Sequence, residues 1–156
     1  MSAILDDLIG EYAIFHKNGE QISKWYLEIS NEGLIDGRSD YYIAGDSFIA
    51  IFHKDGRQIS DEFGDIYPFG LVTGESDYYL AGKGGQYAIY HKSGKKVSED
   101  IKITGFIKSI EFDEGRGIAE ITLEDKKNNI FVKTVEFDPV YPFKEEIIDY
   151  TKLLNI

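Results

Sequence analysis

The sequence predicts a mainly β protein: an antiparallel β-hairpin repeat array of about three units, a degenerate fourth and a C-terminal helix. Three observations predict it. The stretches YAIFHKNGEQIS from Tyr12, IAIFHKDGRQIS from Ile49 and YAIYHKSGKKVS from Tyr87 are near copies, starting 37 and then 38 residues apart. Between them a second block recurs, GLIDGRSDYYIAG from Gly33 and GLVTGESDYYLAG from Gly70. Both blocks are built of β-branched and aromatic residues punctuated by turn dipeptides, which is strand chemistry.

At the N-terminus, Ser2 to Ile9 has apolar letters that serve a short helix or a strand. YAIFHK, IAIFHK and YAIYHK follow as strands, each running into Asn18-Gly19, Asp55-Gly56 or Ser93-Gly94, so each predicts a strand, a tight turn and a second strand. Alternation puts Tyr12, Ile14 and His16 on one face and Ala13, Phe15 and Lys17 on the other. Both faces carry large apolar groups, so such a strand needs cover on both sides, as in a stacked array. SDYYIA and SDYYLA are the next strands, entered through turns at Gly37 and Gly74, with Tyr41 and Ile43 on one face and Tyr42 and Ala44 on the other. Gly82 to Gly85 is a hairpin connection, because no Ser/Thr-capped helix follows to make it a phosphate loop. The units lie near 12–48, 49–86 and 87–123 of a single domain spanning 1–156, with the degenerate unit and helix in 124–156. The helix is expected over about Phe143 to Leu154, where Ile147, Ile148, Leu153 and Leu154 recur at helical spacing behind Pro142; it would cap the sheet edge left by the last unit.

Composition narrows the function. There is no Cys, so disulfides, thiolate metal sites and cysteine nucleophiles are excluded. The first residues lack a basic n-region and no stretch approaches the roughly 18 apolar residues of a membrane span, so a cytoplasmic protein without membrane contact is expected. A formal net charge of −11 repels phosphate backbones, which argues against nucleic acid as a direct ligand, and attracts basic proteins.

The order Phe63, Asp65, Ile66, Tyr67, Phe69, Gly70, Leu71 and then Tyr87-Ala88 resembles the WG repeat, a bacterial β-rich repeat of similar length. The resemblance spans about residues 12 to 98, with Tyr12-Ala13, Ile49-Ala50 and Tyr87-Ala88 where that family has Trp-Gly. It implies a scaffold for contact rather than catalysis. The chain also resembles, in general character, immunity proteins of bacterial toxin systems, including contact-dependent growth inhibition and those directed against nuclease toxins.

Catalytic and metal chemistry find little support. His16, His53 and His91 share one repeat position and would offer three imidazoles to a metal only if the strands stack in register; a strand-end role is the commoner outcome. Ser23, Ser60 and Ser98 recur about seven residues later and read as turn or strand-end hydroxyls. No nucleophile motif, phosphate loop, zinc-helix motif or calcium loop is present. No cofactor, metal or enzymatic activity is expected. What stands out is aromatic residues ringed by acids: Asp40, Tyr41, Tyr42, Asp61, Glu62, Asp65, Glu75, Asp77, Tyr78 and Tyr79 form the expected contact surface for a cationic protein. The leading expectation is an immunity or inhibitor protein that occludes the active site of a basic nuclease toxin. The alternatives are a structural or adaptor repeat module, an acidic inhibitor of a defence nuclease, and a small-molecule or metal-dependent enzyme.

Overall fold

The computed structural model describes residues 2–6, through their backbone, and residues 11–140. All regular structure among them is β, with no helix, and every strand pairing is antiparallel. The helix expected over 143–154 lies outside the described residues. At the other end, the open choice between helix and strand resolves to a strand over Ser2–Asp6.

Four sheets form in chain order. The first pairs β1 (Ser2–Asp6) with β2 (Tyr12–His16); the second runs β3 (Glu28–Ile29), β4 (Tyr41–Gly45), β5 (Ile49–His53). The third runs β6 (Asp65–Tyr67), β7 (Tyr78–Lys83), β8 (Gln86–His91), β9 (Ile101–Lys102), and the fourth runs β10 (Phe106–Asp113), β11 (Ile118–Glu124), β12 (Ile130–Glu136).

Strand alternation stacks these sheets. Tyr42 and Ala44 of β4 join Ile14 of β2 in one apolar cluster, while Ile43, from the opposite face of β4, joins Tyr79 and Ala81 of β7 in a second. Tyr78 and Leu80, from the other face of β7, join Ile107, Ile110, Ala119, Ile121 and Leu123 of the fourth sheet in a third. The central strands are therefore buried on both faces, which is why both read as near-continuous apolar runs. Glycine closes the strand ends tightly: a Cβ on Gly82 would collide with the Gln86 carbonyl, and Gly70, at φ +105°, lies against the Tyr78 carbonyl.

The hairpins differ from expectation. β4 and β5 pair with each other, as do β7 and β8, the latter through Gly84-Gly85 at φ +62° and +81°, the backbone a two-residue hairpin turn needs. Beyond Asn18-Gly19 and Asp55-Gly56, by contrast, no second full strand forms. The return is pinned only at Phe15 with Gln21 and Tyr12 with Tyr26, and again at Phe52 with Gln58 and Ile49 with Phe63. The cause is a serine. Ser23 Oγ accepts the N–H of Ile14, Ser60 Oγ that of Ile51 and Ser98 Oγ that of Ile89, each at 2.8 Å, so a side chain takes the place of a ladder carbonyl. Each hydroxyl then donates to the next residue's carbonyl, Lys24, Asp61 or Glu99.

Ser60→Ala therefore leaves the buried Ile51 N–H without an acceptor. We expect a loss of about 1–3 kcal/mol in urea unfolding; an unchanged midpoint would show that water or a shifted carbonyl takes over.

Candidate functional site

The expected contact surface separates into three groups. Tyr42, Tyr78 and Tyr79 are core residues, 1%, 1% and 0% exposed, so they offer a partner no surface and the expectation is corrected. Tyr42 stacks on Phe52 and Tyr79 on Tyr90, with ring centroids 5.5 and 5.6 Å apart. Burial, with Tyr26 and Asp55 nearby, pushes the Tyr42 phenol up to about 12. The same cause raises Tyr79, whose hydroxyl is buried without a hydrogen-bond partner. Tyr41 is half-buried against the His53 ring.

A second group is exposed but dispersed. Asp40 pairs with Lys54 and Asp77 with Lys92, both at 3.3 Å, each lysine also donating its backbone N–H to that aspartate's carbonyl. Asp61 and Glu62 lie on the return segment, and Asp65 accepts the Tyr87 hydroxyl at 3.1 Å.

The third group is brought together. Glu75 lines an open groove of about 560 Å³ with Glu111, Asp113, Glu114 and Glu120 around half-buried Phe112; Arg116 is the one cation there, its guanidinium 3.7 Å from Asp113. Glu114 accepts from the Ser76 hydroxyl at 3.1 Å and from the Asp77 N–H at 3.4 Å, which ties the fourth sheet to the SDYY segment.

Register explains the groove. Along β11, Ala119, Ile121 and Leu123 are buried, so Ile118, Glu120, Thr122 and Glu124 face outward. Glu111 of β10 is directly opposite Glu120, and Phe106, 68% exposed, is opposite Glu124. Two carboxylates facing directly across a strand pair repel each other and weaken the pairing. Alternation in IEFD and IAEITLE marks Glu111 and Glu120 as outward; their meeting depends on the bulge between Ile107 and Ser109, which no local pattern shows.

A larger groove of about 1150 Å³ lies between residues 95–102 and 133–138, but cations and anions mingle there and Lys96 is spoken for by Asp100 at 2.6 Å. The histidines do not converge. Each accepts, at Nδ1, the N–H two residues on, from Asn18, Asp55 and Ser93. Among the described residues no three His, Asp or Glu side chains are grouped to hold a metal ion. No helix there is long and apolar enough to cross a membrane.

Comparison with known protein families finds no match, and a search of curated proteins finds no relative.

Tyr79→Phe removes only the unpartnered hydroxyl. Its unfolding free energy should equal or exceed the parent's by up to about 2 kcal/mol, and a clear loss would reveal a hidden partner. His91 is buried, and that burial lowers its pKa in the fold, so the neutral ring is the native form. Its contribution to stability is present above the unfolded value of about 6.5 and is lost as pH falls below it through the lower folded value. Imidazole NMR should find His91 titrating below 6.5; a value at or above that contradicts the assignment.

Proposed function

We propose that the chain is a non-enzymatic immunity or inhibitor protein of the cytoplasm, an array of three 37–38-residue β-hairpin repeats with a degenerate fourth, similar to WG-repeat proteins. Its partner is a basic toxin, a nuclease by preference. The observation that carries the reading is the open acidic groove at the end of the fourth sheet, where Glu111, Asp113 and Glu120 of the outer face meet Glu75 and Glu114. A nuclease must hold phosphates in a positive groove, and a rigid sheet bearing carboxylates competes for that groove through long-range attraction. Phe106, exposed beside Glu124 on the same face, supplies an apolar anchor of the kind expected earlier from the tyrosine pairs. Inhibition is by occlusion, with no bond made or broken.

The Glu111–Glu120 opposition supports this. Like charges held face to face are explained if a cationic partner relieves them. Glu120→Lys then has opposite effects on folding and on binding. The variant should melt no lower than the parent, because attraction replaces repulsion across β10 and β11. Its association with a basic protein captured at low salt from the cells that produce the chain should slow about 3- to 10-fold, and the captured nuclease should escape inhibition. Equal on-rates for parent and variant would remove this face from the interface.

A further inference from the structure

We infer that Asn18 is a site of spontaneous chemical modification: in the exposed turn after β2, its side-chain amide is lost to attack by the Gly19 backbone nitrogen, leaving aspartate or isoaspartate. This rests on the turn alone and does not depend on the toxin reading.

Of the five asparagines in the chain, only Asn18 precedes a glycine. Glycine leaves the attacking nitrogen unshielded and the backbone free to turn toward the side chain. Space is open as well: Asn18 and Gly19 are exposed, and a Cβ on Gly19 would meet nothing within 4 Å. The side chain is already folded over the reacting peptide. Asn18 Oδ1 accepts the Glu20 N–H at 2.9 Å, which closes a ring that contains the Gly19 nitrogen. That donor sits on the oxygen where negative charge collects when Cγ is attacked, so it favours the step as an oxyanion contact does. Opposing the attack is the bond from the Gly19 N–H to the His16 carbonyl at 2.9 Å, in an exposed turn where local opening costs little.

The reaction needs only the chain and water. The Gly19 nitrogen loses its proton and bonds to Asn18 Cγ, the Cγ–Nδ2 bond breaks and ammonia leaves, which gives a five-membered cyclic imide. Water then opens either of the two C–N bonds of the imide. One opening gives aspartate on an unchanged main chain; the other gives isoaspartate, with the main chain routed through Cβ and Cγ.

The other units show what the product does. At the second turn the Asp55 N–H donates to His53 Nδ1 at 3.2 Å, Asp55 Oδ1 accepts the Arg57 N–H at 2.9 Å, and Gly56 lies at φ +93° against +94° for Gly19. An aspartate therefore fits this turn. Arg57, however, pairs with Asp55 at 3.5 Å, whereas the first unit has Glu20 at that position, so the new charge meets a like charge. The isoaspartate form lengthens a loop that the His16 N–H and the Glu20 carbonyl close at 2.8 Å, and so loosens the pairing of Phe15 with Gln21. At the third turn Ser93 has no side-chain carbonyl to attack, yet its N–H makes the same bond to His91 Nδ1 at 3.1 Å.

Peptide mapping by mass spectrometry tests this on the full chain, kept folded for days at about pH 9. The Asn18 peptide should become about 1 Da heavier, in an aspartate and an isoaspartate form, before any other asparagine changes. At about pH 6, where hydroxide to take the Gly19 proton is scarce, conversion should slow at least about tenfold. In the folded chain it should run within about tenfold of its rate in guanidinium chloride, because the turn opens locally. Asn18→Ser, which copies the third turn, should keep the far-ultraviolet spectrum and release no ammonia from this peptide. An unchanged Asn18, another asparagine reacting first, or conversion slowed by folding beyond that factor would each overturn the inference, the last by showing that the Gly19 bond locks the turn.

Discussion

The constraint on which the rest of the structure depends is that β4 and β7 are buried on both faces. A strand with one solvated face alternates apolar with polar side chains, whereas YYIAG and YYLAG offer water almost nothing. Each tyrosine pair therefore splits, one ring into the layer before and one into the layer after, and the small Ala44 and Ala81 sit beside the large rings so that successive sheets close on each other. Interiors of this kind are packed like crystals, so a change in one ring is felt in two layers. The written repeat is thus a packing rule.

Polar groups inside such a stack have to be accounted for one by one. The repeated serine takes the strand N–H that the interrupted ladder leaves over, and the repeated histidine takes an N–H of the tight turn that follows its strand. These two positions look like a catalytic pair when read as letters. Geometry gives them separate tasks some seven residues apart: the serine satisfies a buried strand donor, and the histidine fastens an exposed turn. The lone hydroxyl of Tyr79 is the exception among buried side-chain polar atoms of the described residues.

Much of this was legible in the sequence. Large apolar groups on both faces of YAIFHK called for cover on both sides, and Gly-Gly between Lys83 and Gln86 announced a hairpin. The turn dipeptides misled because Asn-Gly and Asp-Gly report a reversal of the chain and say nothing of how far the returning segment stays paired; Ser23 and Ser60 cut that pairing short. The tyrosines misled for a related reason. Alternation assigns Tyr41 and Tyr42 to opposite faces, but only tertiary stacking decides that both faces are covered. Of the expected contact residues Glu75 lines the acidic groove, while Glu111 and Glu120 met through a register no single strand encodes.

On the proposed reading, function passes from the repeated strands to the surface that the last sheet turns outward. Hydrogen exchange mapped residue by residue, free and with the proposed basic partner bound, tests this most directly. The account predicts that amides of 41–45 and 78–83 exchange slowest in the free protein and that new protection on binding falls in 106–124. Protection gained in the tyrosine strands, with the last sheet unchanged, would contradict it.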